Sequence, residues 1–85
     1  MCNLVNIPGR HPHRAKVGVL LRELAALIGA ADELQAKGLS PDALQSSKVA
    51  ATRAVVAIEA YAVLGDERFG AVAQRELGTG FAALR

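Results

Sequence analysis

The run Lys37-Gly38-Leu39-Ser40-Pro41-Asp42 constrains this chain more than any other stretch, because it sets a helix stop against a helix start. Lys37 suits the negative end of a helix dipole, and Gly38 can take the left-handed conformation that closes a helix. Ser40 is a good N-cap, Pro41 fits the first helical position, and Asp42 falls in the first turn, where negative charge is favoured. Leu39 and Leu44 occupy the two positions of a hydrophobic staple. So short a connection makes the helices on either side antiparallel neighbours.

Both flanks carry the matching periodicity. Val17, Leu20, Leu24, Leu27, Ala31 and Leu34 recur at spacings of three and four, which predicts a helix over residues 14–37 with one apolar stripe, widened by Leu21 and Ile28. A second helix is expected over 41–64. With the turn centred near residue 39, Leu34 faces Leu44, Leu27 faces Ala51, Leu24 approaches Val55, Leu20 faces Ile58 and Val17 nears Ala62. Gly65-Asp66 repeats the stop-and-start signal. It opens a shorter third helix, Glu67–Leu77, with Phe69, Val72, Ala73 and Leu77 inward. Gly78-Thr79-Gly80 is expected to end that helix, and 81–84 to add a short final turn. Residues 1–13, broken by Pro8-Gly9 and Pro12, read as an extended basic arm on a single helical domain, 14–85.

A chain of 85 residues buries only about 60–65% of its unfolded surface and sits near the lower edge of independent stability. Its one cysteine, Cys2, excludes an internal disulfide, and one thiol with two histidines makes a poor zinc site. Oligomerisation is the remaining remedy. Hydrophobic residues are 52% of the chain, and the second helix is apolar on more than its hairpin face. Val49, Val56 and Val63, seven apart, form another stripe. The expected fold is therefore all-α: an antiparallel helical hairpin plus a shorter third helix, completing a four-helix-bundle-like homodimer through Val49, Val56 and Val63.

Charge and motif narrow the function classes. Arg10, Arg14, Lys16 and Arg22 precede the first acid, so the amino-terminal segment is basic while the net charge is only +2. Arg10, Arg14 and Lys16 are candidate contacts to phosphate backbones, a modest footprint for nucleic acid. The third helix balances two acids with two bases over 67–77, which is poor for a recognition helix. Glu59 is the lone acid of the apolar run Ala54–Leu64; it marks either the narrow wet strip of a largely buried helix or, with Tyr61, a candidate buried polar or ligand site, with Lys16, Arg22 or a basic residue of a second subunit as cationic partner. Lys48 sits where the hairpin seam expects an apolar side chain, and it can snorkel or fix register.

His11 and His13 flank Pro12 without a helical ligand spacing, and Cys2 has no neighbouring base in sequence, so no catalytic, cofactor or metal residue is assigned. Arg22 and Glu23 interrupt the apolar stretch Ala15–Ala31, and Ala54–Leu64 is too short to span a bilayer. With no export signal in view, a cytoplasmic location is expected. These features lead to a non-enzymatic helical homodimer acting through protein–protein interaction as an adaptor or regulator. The alternatives are a weak nucleic-acid binder and a ligand or enzymatic site at the dimer seam around Glu59.

Overall fold

The computed structural model describes residues 12–85, which form α1 (Pro12–Ala36), α2 (Pro41–Leu64) and α3 (Glu67–Ala83), with no strand among the described residues. The connection between α1 and α2 carries the expected chemistry. Gly38 has φ +100°, Leu39 donates its N–H to the Leu34 carbonyl at 2.8 Å, and Gly38 donates to Gln35 at 3.1 Å. That pair of bonds is a Schellman closure, which satisfies carbonyls the helix end would otherwise leave open. Ser40, with extended backbone, accepts from the Ala43 N–H at 3.2 Å and caps α2, with Pro41 next in line. α1 starts two residues earlier than the periodicity suggests, because Pro12 lies at its first position, where a missing N–H costs nothing. The expected arm, up to residue 11, lies outside the described residues.

α2 closes on Gly65, whose φ is +70° and whose N–H reaches the Tyr61 carbonyl at 2.8 Å. Asp66 then caps α3 by accepting from the Arg68 N–H at 2.9 Å. α3 does not end at Leu77 as expected. It runs through Gly78-Thr79-Gly80 to Ala83, and the Thr79 hydroxyl donates back to the Arg75 carbonyl at 3.0 Å. The reason is tertiary. Gly80 is buried at the level of Leu27 and Ala50, and a Cβ placed there would lie 2.6 Å from Leu27 Cδ2 and 3.4 Å from the Ala50 Cβ. A glycine that weakens a helix locally is held in one here because its bareness lets α3 come close.

The core has the centre of the expected α1 stripe: Leu20, Leu24, Leu27 and Ala31 are buried and Val17 packs partly buried against them, whereas Leu34 is half-buried and Leu21 and Ile28, expected to widen the stripe, are exposed. α2 is rotated from the expected pairing. Its buried positions are Ser47, Ala50, Ala54, Ala57, Ile58 and Tyr61, whereas Val55 and Ala62, expected at the α1 seam, are exposed and Ala51 is half-buried. Lys48, expected within the seam, is exposed, and the polar residue inside it is Ser47. The rotation follows from α3, which lies mainly along α2 and touches α1 less. α2 must face two neighbours, and its small side chains admit both. α3 answers with Gly70, Ala73, Leu77 and Gly80 buried, while Phe69 and Val72 pack at the margin.

Candidate functional site

Among the described residues, polar side chains from all three helices meet where the start of α1 approaches the turn between α2 and α3. Tyr61 sits in the last turn of α2, fully buried, and its hydroxyl donates to Glu67 Oε2 at 3.0 Å. Glu67 is the first residue of α3, a position where the exposed N–H groups of the helix favour a carboxylate. Its second oxygen accepts from Lys16 Nζ at 3.1 Å. His13 lies against the tyrosine from α1, with ring centroids 5.7 Å apart at 55°. Gly70 passes beneath the same ring, where a Cβ would stand 3.2 Å from two ring carbons. One side chain from each helix thus meets in the chain Lys16–Glu67–Tyr61.

The electrostatics follow from this geometry. The Lys16 hydrogen bond, and after it that of Tyr61, holds the Glu67 carboxyl below its ordinary range. Burial, reinforced by the hydrogen bond to Glu67, pushes the Tyr61 phenol up, and the Glu67 hydrogen bond raises the Lys16 ammonium. At neutral pH the carboxylate is charged and the phenol protonated. Both Glu67 oxygens are then occupied, which suits a structural latch better than a general base. Lys16 and Glu67 are more than half exposed, so the ion pair itself contributes little and the buried tyrosine carries the contact. Beside the latch runs an open groove of about 350 Å³, lined among others by Lys16, Val19, Tyr61, Glu67 and Gln74.

A second charged pair closes the same turn. Arg68 grips Asp66 with Nη2 to Oδ2 at 2.7 Å and Nε at 3.2 Å to both oxygens. Those bonds, together with the capping N–H, lower the Asp66 carboxyl from 3.8 to about 2.

The residues singled out from sequence are distributed as follows. Tyr61 is buried, while Glu59 is exposed, as on the wet strip of its helix; the acid on Tyr61 is Glu67. Lys16, considered as a cation for Glu59, binds Glu67, and Arg22 is exposed. Glu67 carries no distinguishing signal in the sequence, because it stands in the charged turn Asp66-Glu67-Arg68 and meets Tyr61 across a helix break, at no helical spacing. Val49, Val56 and Val63 are exposed at 37%, 61% and 82%. Arg14 is exposed, while Cys2, Arg10 and His11 lie outside the described residues. Among the described residues, no group of three or more His, Cys, Asp or Glu side chains could hold a metal ion, and no helix is long and apolar enough to cross a membrane. No protein-family model, curated protein or solved structure matches this chain.

Proposed function

We propose that this chain is a small non-enzymatic helical protein that works through protein–protein contact, as a homodimeric adaptor or regulator. The observation that carries this reading is an inversion of side-chain size. Alanines fill much of the core, at positions 31, 50, 54, 57 and 73, while eight large aliphatic side chains, Leu21, Ile28, Val56 and Val63 among them, stay more than a third exposed. Scattered apolar residues on a surface need no explanation, but this many on α1 and α2 alone is a surface that gains by being covered.

Two other readings lose support on particular residues. A nucleic-acid contact through Arg10, Arg14 and Lys16 would meet the Glu67 carboxylate 3.1 Å from the Lys16 ammonium, which offsets that part of the positive charge. A ligand site built on Glu59 and Tyr61 lacks its acid, because Glu59 points to solvent rather than to the tyrosine. The test of the interaction reading is molecular mass in solution across dilution, by light scattering or sedimentation. A dimer at micromolar concentration is the expected result, and a monomer at every concentration overturns it. Val56→Asp asks whether the Val49, Val56 and Val63 stripe is the contact: if so, the mass halves while the helical circular dichroism persists.

A further inference from the structure

We propose that a second copy of this chain docks across the open α1/α2 face, opposite α3, with its helices antiparallel to the first. Leu21, Ile28 and Val55 lie at the centre, and Lys48 of each copy meets the partner's Glu59. The inference rests on the homodimer reading above and says which surface the dimer uses.

The face is defined by what α3 leaves uncovered. α3 borders α1 along Lys16, Val19 and Leu20, and it borders α2 along Arg53, Ala57 and Ala60. At about 100° per residue, Leu21 and Ile28 fall well around α1 from that contact, and Val55, Lys48 and Glu59 fall on the far side of α2. All five are exposed, with Leu21 at 49%, Ile28 at 48% and Val55 at 38%. Between them lie Val17 and Ala51, partly buried against the core, so the patch continues the hydrophobic interior outward. The valine stripe on α2 is different. Val49 and Val56 border the grooves against α3, and Gln45 and Thr52 are interleaved along the same side.

The charges identify the occupant as a second copy. Leu21 and Ile28 are equally far from the level between residues 24 and 25. Lys48 and Glu59 share one edge of α2 and are equally far from the level between residues 53 and 54. These are the same level of the molecule to within a residue. The Gly80 position touches both Leu27 and Ala50, and three residues back on α1 and three forward on α2 lead to Leu24 and Arg53. A two-fold axis across the helices at that level lays α1 on the partner's α1 and α2 on the partner's α2. Leu21 then meets the partner's Ile28, and Lys48 meets the partner's Glu59 twice over, as an isologous contact requires.

The exposed Arg14 and Asp32, about five full turns apart on the outer edge of α1, are centred within two residues of the same axis and repeat the pattern of opposite charges. A two-fold axis along the helices instead sets Lys48 opposite Gly29 and Ala30 of the other copy, within three residues of Asp32, and leaves Lys48 and Glu59 unpaired with each other, so under it the double exchange does not restore the dimer. Opposed charges at both ends of an apolar centre fix register and orientation more than they add affinity.

The decisive experiment is a charge exchange on the whole chain, read as the dimer dissociation constant by sedimentation at low salt. Lys48→Glu alone and Glu59→Lys alone each place like charges at both ends, and each is expected to weaken the dimer by about tenfold or more. The double variant restores it, and an equimolar mixture of the two single variants forms a heterodimer. Both positions are exposed in the monomer, so circular dichroism stays unchanged in every variant. Single variants that dimerise like the parent chain, while Val56→Asp dissociates it, overturn this face and leave the homodimer standing on the valine stripe. A parent chain that is monomeric at every concentration overturns the homodimer itself. Leu21→Ser with Ile28→Ser provides the apolar control: an unchanged dissociation constant also overturns the face.

Discussion

The α2/α3 seam and the open α1/α2 face solve opposite problems with opposite side chains. The seam buries Ala50, Ala54 and Ala57 on one side and Gly70, Ala73 and Gly80 on the other, with Gly70 against the Tyr61 ring and Gly80 reaching past Ala50 to Leu27 of α1. The open face lifts Leu21, Ile28 and Val55 into solvent. Small residues bury little area each, but they let neighbouring atoms reach contact distance, and close packing there depends on shape to a fraction of an ångström. Large residues on the open face are insensitive to shape until something covers them. Substitutions should therefore be felt sharply in the seam as loss of the monomer, and on the face only as loss of association.

The largest expected effect comes from Leu27→Ala. Leu27 is fully buried between α2 and Gly80, and its truncation should cost about 2–5 kcal/mol in urea unfolding of the monomer. Gly80→Ala follows. Alanine improves the helix locally, yet its Cβ at 2.6 Å from Leu27 Cδ2 forces a fully buried leucine to move, and a net loss of about 1–3 kcal/mol is expected. A gain in stability would show that the seam has slack and would erase the contrast with the face. Gly78→Ala sharpens it from the other side. The site has no neighbour within 4 Å, so the same change two residues earlier should raise stability by about 0.5–1 kcal/mol in the same measurement.

The smallest effect is one of pH. The Asp66 carboxyl titrates at about 2 in the fold against an ordinary 3.8, so the unfolded chain binds its proton first. The stability this cap contributes is complete above pH 4, declines as the medium is acidified, and is gone below about pH 2. Melting temperature followed over that window should fall less for Asp66→Ala than for the parent chain, with no difference in slope near neutrality.

The hairpin was legible in the sequence because its signals are local: Gly38, Ser40 and Pro41 act within a few residues of where they stand. The end of α3 was not. Gly78 and Gly80 read alike as helix breakers, and only a leucine more than fifty positions away explains why the helix passes through them. The rotation of α2 was hidden for a related reason. Ranking positions by hydrophobic size favours Val55 and passes over Ala50, Ala54 and Ala57, whereas a helix wedged between two others selects for smallness. The polar latch combined both difficulties. Glu59 drew attention by contrast with its apolar neighbours, while Glu67 was concealed among charges and found Tyr61 across a turn.

Tyr61 has one more consequence. The chain has a single tyrosine and no tryptophan, so its near-ultraviolet absorption and intrinsic fluorescence come almost wholly from that ring. The ring is sealed over Gly70, touched by His13 and tethered to Glu67, and it therefore senses all three helices at once. The undocking of α3, or the release of the start of α1, wets the chromophore and alters its hydrogen bond. The unlabelled protein carries its own optical gauge, placed at the one point that no helix can leave unnoticed.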